Sequence, residues 1–91
     1  MNENKQEPEW LDRVRKTYNF HCDKRADDDK WTIRQTAIEL KRSIGPVSEE
    51  LKVASWLRTH GHILLKFDYI HEAIEWIRSQ KHKQFTKDFE I

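Results

Sequence analysis

Cys22 is the only cysteine, which excludes an internal disulfide and leaves cohesion to packing in a reducing, cytoplasmic setting. Two glycines and two prolines in 91 residues exclude glycine-rich phosphate cradles and collagen-like arrays. The longest uninterrupted apolar run, Ile63-Leu64-Leu65, falls far short of the roughly 20 residues a membrane helix needs. The amino-terminal Met-Asn-Glu-Asn-Lys carries no apolar signal region, so a soluble protein outside the export pathway is expected. At 91 residues a two-domain enzyme with an interlobe cleft is not expected either.

Charged residues match hydrophobic ones at 36% each, a balance that would suit a disordered chain. Ten aromatics, four of them tryptophan, argue instead for a small folded core. The net charge is only +1, but it is unevenly placed. Residues 31–66 hold six basic and three acidic side chains, while the flanking segments each lean slightly acidic. That bias matters for a polyanionic partner only if the fold gathers it on one face.

Helical periodicity runs through the chain and no segment alternates like a strand. Residues 1–7 are polar and expected to be disordered. Pro8 opens a first helix expected over 8–22, with Trp10, Leu11, Val14, Tyr18 and Cys22 on one stripe. Residues 23–30, with aspartates at 27–29, read as a loop. Thr32-Ile33-Arg34-Gln35 fits a capping box that starts a second helix over 32–41, with Trp31 covering its first turn. A third, over 46–59, opens with Gly45 at the cap and Pro46 as first helical residue, carries Glu49 and Glu50 in its first turn, and ends at Gly61. Residues 62–67 fit either an extra helical turn or an extended connector. Asp68 then caps a fourth helix over 69–80, and residues 81–91 form a tail, flexible or docked through Phe85 and Phe89. The expected architecture is a small all-α domain of four helices over 8–80. Its core should hold Trp10, Leu11, Val14, Tyr18, Trp31, Ile33, Ala37, Leu40, Val47, Leu51, Ala54, Leu57, Phe67, Ile70, Ile74 and Ile77.

The informative stretch runs from Thr36 to Leu51. Ala37 is small where a second helix would cross; Leu40, Val47 and Leu51 would fill the wedge, and Ile44 in the turn either plugs the gap or faces outward. The run Thr-Ala-x-x-Leu…Ser-x-x-x-Val-Ser-x-x-Leu resembles the helix-turn-helix of small bacterial and phage DNA-binding proteins, including partition proteins of the ParB and KorB type, over about residues 32–58. Two departures stand out. Lys41 occupies the turn position where glycine is usual, so it must turn left-handed or the turn must lengthen. Glu49 and Glu50 sit at the head of the presumed recognition helix, where they would repel phosphates.

The resemblance implies a sequence-specific DNA-binding protein, a transcription regulator or a replication or partition accessory. It implies that Ser43, Ser48, Glu49 and Lys52 line the groove-facing side, Glu49 facing a cytosine amino group and Glu50 turned inward or sideways. Arg34, Gln35, Lys41 and Arg42 would then meet phosphates at the ends of the helix pair. An ordinary helical hairpin serving a non-enzymatic protein-interaction adaptor, with a Trp- and Phe-rich surface, is the alternative, and the near-neutral charge and the two glutamates favour it.

A single module reads few base pairs, so a homodimer on double-stranded DNA is expected, with Tyr69, Ala73 and Trp76 on one side of the fourth helix as its contact; the alternative for that side is a larger intramolecular core. Trp56, on the outward side of the third helix, should pack on residues 62–67 or on the last helix, with a subunit contact as the alternative. His60, His62, His21 and Cys22 lack the paired spacing of a zinc site, so no metal or other cofactor is expected. Cys22 should be a buried or half-buried structural thiol, and no catalytic residue is assigned.

Overall fold

The computed structural model describes residues 7–90, with side chains placed for residues 7–80. Among the described residues the chain is all-helical: α1 (Glu9–Asp27), α2 (Ile33–Leu40), α3 (Ile44–Leu64) and α4 (Ile70–Glu90). The expected disorder of the amino terminus, apart from Glu7, falls outside the described residues, as does any docking by Phe85 and Phe89. The backbone of 81–90 continues α4.

α3 packs against each of the other three helices. Trp10, Leu11 and Val14 from α1 meet Val53, Ala54 and Leu64 from α3 and Ala73, Ile74 and Ile77 from α4 in one buried cluster. A smaller cluster joins Ala37 of α2 to Val47 and Leu51 of α3, and Tyr18 lies against both. The buried Trp10 indole donates to the Phe67 carbonyl at 3.1 Å, which satisfies its N–H and ties α1 to the α3–α4 connection. Leu40, expected in the wedge, is only half-buried and belongs to neither cluster.

Besides the extension of α4 to Glu90, where 80 was expected, and shifts of one residue at the start of α1 and both ends of α2, four boundaries differ from those expected. α1 continues through the charged segment to Asp27, because Lys24 and Arg25 favour the negative end of the helix dipole. There Arg25 also donates to the Trp31 carbonyl at 2.8 Å, and the Lys24 ammonium lies 5.3 Å from the Trp31 ring centre. α3 begins at Ile44 with Ser43 at its cap, so Gly45 and Pro46 lie inside its first turn, where a missing N–H costs nothing. It also runs past Gly61, bending at His60 (φ −123°, ψ 22°), which assigns residues 62–64 to helix. A glycine in a helix costs about 1 kcal/mol. Burying Leu64 completely gains about 1.5–3 kcal/mol, so continuing wins. α4 starts one residue late: the Glu72 carboxylate accepts from the Tyr69 N–H at 3.2 Å, putting Tyr69 rather than Asp68 at the cap.

The expected dimer face is not one open surface. Ala73 is fully buried in the main cluster, and Trp76 is half-buried, edge-on to Trp56 with ring centres 5.9 Å apart. His60 lies between the two indoles, at 4.8 and 5.6 Å. Trp56 thus packs on the last helix, as its position implied, and Tyr69 alone of the trio is exposed. α4 carried more apolar circumference than one stripe needs because it serves the intramolecular core.

A methyl group at Gly61 would meet no atom within 4 Å, and the backbone there has no positive φ. Gly61→Ala should therefore raise stability by about 0.5–1 kcal/mol, seen as a higher urea midpoint at unchanged slope. A lower midpoint would contradict a helical backbone at Gly61.

Candidate nucleic-acid interface

α2 is fixed at both ends by its own sequence. Thr32 Oγ1 accepts from the Gln35 N–H at 3.2 Å and the Gln35 side chain accepts from the Thr32 N–H at 2.8 Å, the reciprocal bonds of a capping box. At the other end Lys41 adopts φ 58°, ψ 46°, the left-handed alternative open to it, and is the only non-glycine residue with positive φ among the described residues. The Lys41 N–H reaches the Ile38 carbonyl at 3.1 Å and the Arg42 N–H reaches Ala37 at 2.9 Å. These paired bonds close the helix as glycine usually would, at a strain of about 1–2 kcal/mol.

Immediately after this turn, Arg42 swings inward. Its Nη1 and Nη2 donate to the two oxygens of Glu50 at 2.8 and 2.6 Å, and Nη1 also donates to Thr17 Oγ1 at 3.2 Å. The Thr17 hydroxyl donates to Glu50 at 2.7 Å, and Arg13 Nε lies 3.9 Å from the same carboxylate. Glu50 is 4% exposed and Thr17 3%. Burial by itself would raise the Glu50 pKa, but the Arg42 fork, the Thr17 hydroxyl and the nearby positive charges outweigh it and hold the carboxyl below its ordinary value. The same hydrogen bonds raise the Arg42 pKa against the opposing effect of burial. One ion pair thus joins α1, the α2–α3 connection and α3.

The residues expected to meet DNA therefore divide. Arg42, expected at a phosphate, is half-buried and engages Glu50 through both terminal nitrogens. Glu49, expected in the groove, faces α4, with its carboxylate 3.6 Å from Arg78 Nη2. Gln35 is exposed but its carbonyl oxygen serves the cap. Arg34, Lys41 and Ser43 are exposed, and Ser43 makes no side-chain cap bond. Ser48 and Lys52 are half-buried, one and two turns beyond Ile44, which is 41% exposed and faces outward rather than plugging the turn.

Sequence reading missed Thr17 and Thr36, which are buried polar positions on otherwise apolar stripes. Thr36 Oγ1 accepts from the Trp31 indole at 2.7 Å and lies 2.6 Å from His21 Nδ1, linking α1 to α2. Burial, and then the Arg25 charge, lower the His21 pKa. A neutral imidazole can accept a hydrogen bond from the Thr36 hydroxyl at Nδ1, whereas an imidazolium can only donate there. Cys22 is exposed rather than buried, because the stripe of α1 turns through Thr17 and His21 instead. Among the described residues no three His, Cys, Asp or Glu side chains gather as metal ligands. An open hollow of about 650 Å³, lined by Glu7, Trp10, Phe67, Asp68 and Tyr69 among others, shares no residue with the α2–α3 unit. No described helix is long and apolar enough to cross a membrane.

No family model matches this chain, and neither the curated proteins nor the solved structures contain a match.

The two groups with lowered pKa, His21 and Glu50, make stability fall in acid. His21 has a depressed pKa, so its contribution is complete above the ordinary histidine value of about 6.5 and is lost as pH falls through the folded value. Glu50 behaves likewise at lower pH, below the ordinary carboxylate value. Urea midpoints should therefore drop in two stages on acidification, with His21→Gln flattening the first. Arg42→Met, which strands the Glu50 charge, should cost about 3 kcal/mol at neutral pH and progressively less in acid. An equal cost at every pH would contradict the ion pair.

Proposed function

We propose that this chain is a sequence-specific double-stranded DNA-binding protein of bacterial, plasmid or phage type, a transcription regulator or a replication or partition accessory. In this reading α2 and α3 act as a helix-turn-helix and α3 enters the major groove. The observation that carries it is the withdrawal of the two glutamates. Because α3 starts two residues earlier than its sequence suggests, Glu49 and Glu50 fall outside its first turn, which contains no acid. Arg42 clamps one and Arg78 faces the other. The track Ile44, Ser48, Lys52 begins beside the positive end of the helix dipole, with Glu49 at its flank turned toward Arg78.

With Arg42 and Glu50 paired, residues 31–66 keep Arg34, Lys41, Lys52, Arg58 and Lys66 against Glu39 and Glu49, the latter facing Arg78. Arg34, Lys41 and Lys52 are the phosphate contacts of this proposal, and Ser43 and Ser48 offer hydroxyls to base edges or phosphates. Two copies on a palindrome would supply the contacts one small module lacks, through a surface that excludes Ala73. The adaptor reading gains no particular support: Trp10 is buried, and Trp31, Trp56 and Trp76 are half-buried against their neighbours.

The protein should shift random duplex DNA in gels at low salt, with affinity falling steeply as salt rises. Lys41→Glu and Lys52→Glu should each weaken binding and lower the salt slope by about 1, while the urea midpoint stays nearly unchanged. No shift by micromolar protein at low salt would overturn the reading. On a selected palindrome, light scattering should give the mass of the duplex plus twice 11.1 kDa if two copies bind.

A further inference from the structure

Ile44 is a large aliphatic side chain left partly exposed at the head of α3. It is 41% exposed at the first position of α3 and is absent from the partly buried residues that line either hydrophobic cluster. Beside it the surface is open, since a methyl group at Gly45 would meet nothing within 4 Å. Helical spacing puts Ile44, Ser48 and Lys52 on one ridge, so an apolar group is followed at intervals of one turn by a hydroxyl and an ammonium. The surrounding excess of basic side chains fits a polyanion rather than an apolar partner.

In the major groove the base edges present hydrogen-bonding atoms and one prominent apolar group, the thymine 5-methyl. We propose that Ile44 is a specificity-determining residue that packs on a thymine methyl, while Ser48 and Lys52 address acceptors further along the same track. The assignment rests on the DNA-binding reading and adds a base preference to it. Ile38 provides the internal comparison. It is more exposed, at 65%, but lies on α2, which in a helix-turn-helix crosses the backbone instead of entering the groove.

Uracil differs from thymine only by lacking the methyl, which makes the test direct. A duplex site is first selected from a random pool by the wild-type protein, and its thymines are then replaced one at a time by uracil. Replacement at one or two positions should weaken wild-type binding by about three- to tenfold. Ile44→Ala should bind the thymine site more weakly and lose the thymine-over-uracil preference, Ile44→Val should keep part of it, and Ile38→Ala should keep all of it. Circular dichroism melts establish that each variant is folded. Wild-type binding indifferent to uracil at every position, or undiminished discrimination by folded Ile44→Ala, would overturn the assignment while leaving DNA binding intact. Failure of the wild-type protein to bind any duplex would overturn both.

Discussion

A carboxylate that is 4% exposed in an 11.1 kDa protein must be compensated or neutralised, and Glu50 is compensated from three directions. The Arg42 fork supplies two charge-assisted bonds and Thr17 a third, so both carboxylate oxygens are satisfied. An ion pair of this kind contributes little against a well-packed apolar substitute, yet breaking it leaves an isolated buried charge. Its structural effect is to specify geometry. Arg42 can reach Glu50 only if the chain reverses at Lys41, and Thr17 can join them only if α1 lies across both.

Which side of α3 faces outward follows from that constraint. With Glu50 held inward beside Val47 and Leu51, Lys52 falls on the opposite side of α3, and Ser48 and the exposed Ile44 lie between, at the edge of the packed face. The left-handed Lys41 is the local cost of the arrangement, offset by the two backbone bonds that close α2 and by the ion pair that follows it. The Trp31–Thr36–His21 chain fixes α2 to α1 from the opposite end, so the orientation of the α2–α3 unit depends on two polar junctions as well as on its small apolar cluster. Away from these junctions, the paired indoles of Trp56 and Trp76 and the bend at His60 accommodate the long α3 against α4.

The sequence by itself determined the all-helical class, the capping box at Thr32, the apolar stripes of α1 and α4, and the choice open to Lys41, because each is set by periodicity or by contacts within a few residues. Helix ends at Asp27 and Leu64 were not legible, since they depend on a carbonyl at Trp31 and on a buried pocket for Leu64 that exist only after folding. Glu50 was expected inward or sideways, and nothing in the sequence pointed to Arg42 or Thr17 as its partners. Only tertiary structure decided that Arg42 turns inward, that Glu49 faces Arg78, that Ala73 is core and that Ile44 is exposed. Local propensity acts over one helical turn, whereas these outcomes are fixed by which helices cross and which charges become buried together.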